Sequence, residues 1–121
     1  MKKIYVGHSK DFNFIEELYQ PLRDSELNKH FEIILPHEQS EKPFNSREEL
    51  KNVSYMIAEV TYPATGLGIE IGWALMLGVP VIAIYKTGTK ISSSVRMLAQ
   101  EVIEYSTVKE LIEKLSQSVK P

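Results

Sequence analysis

The segment Thr61-Tyr-Pro-Ala-Thr-Gly-Leu-Gly-Ile-Glu-Ile-Gly72 carries one acid, Glu70, among glycines and apolar side chains. Glycines at positions 66 and 68, where a helix is about to start, let a ligand approach backbone N–H groups that the helix itself leaves unpaired. An acid at an exposed helix start is an ordinary dipole partner worth up to about 1 kcal/mol. The neighbours Ile69, Ile71, Trp73, Ala74 and Leu75 instead predict a helix over Ile69 to Leu77, buried over much of its circumference and closed by Gly78. A carboxylate whose ionised form the helix N-terminus favours, and whose solvation apolar walls strip, suits covalent attack as a nucleophile. The competing role for these glycines is a tight strand-to-helix turn. Their spacing is not that of the dinucleotide fingerprint, which argues against a nicotinamide cofactor.

Further polar groups fall in other turns. Gly7-His8-Ser9-Lys10 follows the first apolar run, His37 follows Pro36, and Ser92-Ser93-Ser94 stands near Arg96, where hydroxyls and a guanidinium could hold a phosphate. His8 reads as a turn residue, either touching a ligand or bonded locally, and His30 as a solvated one. Three scattered histidines with no carboxylate at ligand spacing predict no metal site. Tyr5 and Trp73 are read as core or interface residues, not as platforms for base stacking.

The elements that must position these groups alternate. Strands are expected at Ile4 to Gly7, Phe31 to Leu35, Tyr55 to Val60, Val81 to Tyr85 and Val102 to Tyr105. Between them, Phe12, Ile15, Leu18 and Tyr19 recur at helical spacing, with Asp11 placed to cap and Pro21 interrupting or kinking the pattern. Residues 37 to 45 form a polar loop, Ser46-Arg-Glu-Glu49 has capping-box spacing, and Val108 to Val119 closes the chain as an amphipathic helix. Strands alternating with helices imply right-handed crossovers and a parallel sheet covered on both faces. The expectation is a flavodoxin-like three-layer α/β fold with a five-stranded parallel sheet in the order 2-1-3-4-5, formed by one domain over residues 1–121. In that order the strand sequence reverses between strands one and three, so the loops at Gly7 to Lys10 and Thr61 to Gly68 are where a ligand should bind.

Composition sets outer bounds. The 121 residues include 43% hydrophobic side chains, 14 basic and 16 acidic groups and no cysteine. A net charge of -2 without a basic run argues against a nucleic-acid partner. The lack of cysteine suits a reducing compartment, so the cytoplasm is expected. No apolar run approaches the roughly 20 residues of a membrane span.

The run Ile57-Ala-Glu-Val-Thr-Tyr-Pro-Ala-Thr-Gly-Leu-Gly-Ile-Glu-Ile-Gly72 resembles the core motif of the nucleoside 2-deoxyribosyltransferase superfamily, nearest its 2′-deoxynucleoside 5′-phosphate N-hydrolase branch. The resemblance implies cleavage or transfer at the N-glycosidic bond of a 2′-deoxynucleoside or its 5′-monophosphate, with Glu70 attacking C1′ and no cofactor. It implies substrate contacts from Ser9, His37 and Ser93, which join Gly7, His8, Thr65, Gly66 and Gly68 of the two privileged loops as expected binding residues. Ser93 would be lent by a neighbouring subunit, so a homodimer or higher homo-oligomer is expected. Two positions depart from the pattern. Ala64 stands where the branch has a phosphate-contacting serine, with Thr65 beside it, and Ser46 stands where the family's second catalytic acid falls. Ser46 favours an alternative, a non-catalytic nucleotide or sugar-phosphate binding module of the same fold. A flavin-binding electron carrier fits the fold but lacks the expected phosphate cradle in the first loop.

Overall fold

A computed structural model describes residues 1–39 and 45–121. Of the polar loop expected over residues 37 to 45, residues 40–44 lie outside the described residues.

Five strands, β1 (Lys3–His8), β2 (Glu32–Ile34), β3 (Tyr55–Glu59), β4 (Val81–Lys86) and β5 (Glu101–Tyr105), pair in parallel in the order β2-β1-β3-β4-β5. The α/β class and the strand order are those expected from the alternation of apolar runs. Side chains alternate across the sheet. Ile4, Val6, Ile57, Ile82, Ile84 and Ile103 build one core with Leu22, Leu27, Leu111 and Leu115. Tyr5, Met56, Ala58, Val81 and Ala83 build the other with Leu50, Leu67, Ile71 and Ala74. The helices on the first face are α1 (Gln20–Asp24), α2 (Leu27–His30) and α6 (Val108–Ser118), and those on the second are α3 (Ser46–Leu50), α4 (Thr65–Met76) and α5 (Ser93–Leu98).

Several local expectations are corrected. Asp11 caps no helix. Ile15–Tyr19 forms a π-helical turn whose N-cap, Phe14, makes no side-chain bond, and the chain runs directly into α1. Pro21 falls where this π-helical turn gives way to α1; the helical path continues through it, and Leu22 is buried. Ser46 is not the cap of α3, because Asn45 takes that place and its side chain accepts the Glu48 N–H. Helix α4 starts at Thr65, four residues before the predicted start, and takes Gly66 and Gly68 into its first turn although glycine is a poor helix former. Its buried stripe is only Leu67, Ile71 and Ala74, while Ile69, Trp73, Met76 and Leu77 are exposed. Gly78 follows α4 with φ +75°, as a residue just past a helix C-terminus should.

Candidate functional site

The alternation along β1 sends Tyr5 and Gly7 to the face that carries α4 and His8 to the opposite face, against Phe14 and Tyr19. Tyr5 is fully buried and reaches Glu70 from below, its hydroxyl donating to Glu70 Oε2 at 2.5 Å. That proton is committed to the carboxylate, so in the 2.7 Å contact between the Tyr5 and Ser46 hydroxyls Ser46 is the donor. Burial first, and the charge of Glu70 second, raise the Tyr5 pKa far above its ordinary value and keep the hydroxyl a donor. Gly7 makes room for the acid: a Cβ there would lie 3.2 Å from Glu70 Oε1 and 3.1 Å from Leu67.

Above this floor opens a cavity of about 490 Å³, lined by His8, Ser9, Lys10, Asp11 and His37 on one side and by Gly66, Ile69, Glu70 and Trp73 on the other. A relay fixes the first wall. His8 Nδ1 faces the Ser9 carbonyl at 2.7 Å, an acceptor only, so Nδ1 carries the proton and Nε2 accepts the Tyr19 hydroxyl at 2.6 Å. The Tyr19 oxygen in turn accepts the His37 N–H at 3.1 Å, which joins the β1 loop to the loop after β2. Burial, with Lys10 and His37 nearby, lowers the His8 pKa to about 4 despite the Ser9 carbonyl, so the ring is neutral. Ser9 is itself buried, its hydroxyl oxygen accepting the Asp11 N–H.

The structure thus gathers Glu70, His8, Ser9, His37 and Gly66 around one cavity with Gly7 beneath it. Thr65 and Ser93 are exposed and line no part of it in a single chain. Gly68 faces a second cleft of about 350 Å³ between α4 and α5, which shares Ala64 and Leu67 with the first. The first helical bond of α4 already uses the Gly68 N–H, on Ala64 O, so the amides of Thr65, Gly66 and Leu67 are those that the helix leaves to a ligand. The glycines do not serve a left-handed turn, since positive φ occurs only at Gly78 and Gly88 among the described residues. A Cβ on Gly66, Gly68 or Gly72 would meet nothing within 4 Å, so these positions leave the helix surface bare.

Sequence reasoning did not place Tyr5, Asp11 or Trp73 at this cavity, and it left Ser46 open between a helix cap and a place in the site. Tyr5 carried a usable signal, a polar tip on a central strand two residues from the glycine turn, whereas Asp11 carried none. Among the described residues no group of three or more His, Cys, Asp or Glu is arranged to hold a metal ion. No helix among them is long and apolar enough to cross a membrane.

No family model matches the sequence. A Thermofilum pendens (strain DSM 2475 / Hrk 5) protein provisionally named 2′-deoxynucleoside 5′-phosphate N-hydrolase 1 is 38% identical over 71 residues, 54% of this chain. The match spans about half the length of that relative, 50%. Among solved structures, a Clostridium botulinum CMP N-glycosidase aligns with a TM-score of 0.67 at 23% identity, over 95% of this chain and 99% of that one. A conserved protein from Enterococcus faecalis V583 aligns with a TM-score of 0.74 at 18% identity, over 98% and 99%. These structural likenesses establish the fold. The resemblance read in residues 57–72 is borne out to this extent: over about half its length the chain is a homologue of a protein provisionally named 2′-deoxynucleoside 5′-phosphate N-hydrolase 1.

Proposed function

We propose that this chain is an N-glycosidase or deoxyribosyltransferase acting on a 2′-deoxynucleoside or its 5′-monophosphate, with Glu70 as nucleophile. The observation that carries the reading is the Glu70 carboxylate, held by the Tyr5 hydroxyl at the floor of a cavity faced by His8, Ser9 and His37. The names of the relatives, a deoxynucleoside phosphate N-hydrolase and a CMP N-glycosidase, support the substrate class. In the first step a Glu70 oxygen forms a bond to C1′ and the C1′–N bond breaks, its electron pair leaving with the base, which takes up a proton. Water then attacks C1′, gives up a proton and frees the carboxylate; a second base in place of water gives transfer. Asp11, the other carboxylate lining the cavity, is the group we assign to that proton exchange, because position 46 is a serine. The Thr65, Gly66 and Leu67 amides, with Ser9 and Lys10, are assigned to a 5′-phosphate. This chemistry needs no cofactor and suits the cytoplasm. The enzyme works as a homodimer or higher oligomer in this reading, with Ser93 brought to the cavity by a second copy.

A second reading, a binding module without turnover, is favoured by Ser46 at the place of the second acid. One experiment separates the two. If Glu70 is the nucleophile, Glu70→Ala abolishes base release from a panel of deoxynucleosides and deoxynucleotides by several orders of magnitude, with ligand affinity kept within about tenfold. In a binding module the wild type releases no base and the substitution weakens binding by roughly 1–3 kcal/mol. Turnover that survives Glu70→Ala would sink the mechanism.

A further inference from the structure

β3 ends in a second acid that the proposed reaction does not use. Glu59 is 0% exposed and lies on the sheet face opposite α4, together with Ile57 and Tyr105. Burying a carboxylate costs several kcal/mol unless its oxygens are satisfied. Here both are: Oε1 accepts the Thr61 N–H at 2.6 Å and Oε2 accepts the Tyr105 hydroxyl. Two donors converge on one side chain, and a carboxylate offers a separate oxygen to each. Thr61 is tied further, its Oγ1 accepting the Lys86 N–H at 2.9 Å, while the Val60 N–H bonds Ile84 O. The exit of β3 is therefore clamped to both β4 and β5.

From Thr61 the chain runs through Tyr62, Pro63 and Ala64 into α4. That helix start has no clamp of its own, because Ala64 provides no side-chain cap and the first turn holds no acid. What fixes the position of Thr61 therefore fixes where α4 begins, and Glu70 lies in its second turn.

We propose that Glu59, held by Tyr105, is a positioning residue that sets the start of α4 and, through it, the placement of Glu70 against Tyr5. Its effect on turnover rests on the Glu70 reading above; its effect on α4 does not.

The test uses Tyr105→Phe, which removes one donor with little change of shape, beside Glu59→Gln and Glu59→Val. Two quantities are read: amide hydrogen exchange at Gly68, Ile69 and Glu70 relative to the β1–β2 ladder, and kcat against KM for base release. Tyr105→Phe is expected to speed exchange at the three α4 amides about tenfold or more beyond any change in the ladder. The same variant should lower kcat about tenfold or more while KM moves less than about threefold. Glu59→Gln should lie closer to wild type than Glu59→Val, because its amide still accepts from Thr61 N–H and can donate to the Tyr105 oxygen. Exchange at Gly68 to Glu70 that changes only in step with the ladder would overturn the proposal, as would an unchanged kcat. If the wild type releases no base, the functional reading fails by itself, and the exchange ratio still decides the role of Glu59.

Discussion

A methyl group added at Gly7 would meet the Met56 terminal methyl at 2.7 Å, Leu67 at 3.1 Å and Glu70 Oε1 at 3.2 Å. Met56 ends in a flexible chain and can turn aside, whereas the carboxylate can yield only by leaving the Tyr5 hydroxyl for the cavity. Gly7→Ala is expected to cost about 1–3 kcal/mol in urea denaturation and to displace Glu70, so base release should fall while the fold persists. A variant as active as wild type would show that the acid does not depend on this space. His8 makes a prediction about pH. The folded chain lowers its pKa from 6.5 to about 4. Between those values the unfolded chain binds a proton that the folded chain does not. Stability therefore rises with pH across this window, and up to roughly 3 kcal/mol is lost as pH falls from about 6.5 to 4. An NMR titration of the ring in the folded protein checks it, with a midpoint near 4 expected and one near 6.5 contradicting the relay.

At the scale of elements, α3 and α4 hold the site by different means. Asn45 caps α3 through the Glu48 N–H at 3.3 Å, which leaves the adjacent Ser46 hydroxyl to donate to Tyr5. Asn45→Ala should lower stability by about 1 kcal/mol and leave ligand affinity untouched, as calorimetry and denaturation together can show. Ser46→Ala should instead act on Glu70 through Tyr5, reducing kcat. Equal effects of the two substitutions on kcat would mean that Ser46 serves only the helix. Helix α4 is apolar nearly all round, yet only Leu67, Ile71 and Ala74 meet the core. A helix of that kind is stable in water when something else covers its outer side.

For the whole molecule, the uncovered side of α4 bears on assembly. Met76 is 89% exposed and Trp73 38%, and Met97 and Leu98 of α5 are exposed as well. A homodimer built on this surface would bury Met76 without using it in the site. Met76→Lys places a cation near the C-terminus of α4, where the helix dipole favours it, so a monomer should tolerate it. Sedimentation equilibrium at micromolar concentration should show a dimer for wild type and a shift toward monomer for Met76→Lys. A wild-type monomer would refute the proposed assembly.

The order of the elements, the parallel sheet and the choice of Glu70 as candidate acid were legible in the sequence because each is written in local patterns: apolar runs of strand length, glycine punctuation and one acid among apolar neighbours. Gly78 at the end of α4 was legible for the same reason. The start of α4 was not, since residues 65–68 have weak preferences and the clamp at Thr61 comes from Glu59 and Tyr105, 46 positions apart. Tyr5 beneath Glu70, Ser46 against Tyr5, and the His8–Tyr19–His37 relay likewise depend on which strands become neighbours. Spacing along the chain carries no record of a contact across 65 residues, such as that between Tyr5 and Glu70. The sequence by itself determined the alternation of strands and helices and singled out Glu70 as the candidate nucleophile. Only the tertiary structure decided what surrounds that side chain, because β1, β3 and α4 meet through long-range packing that no local preference specifies.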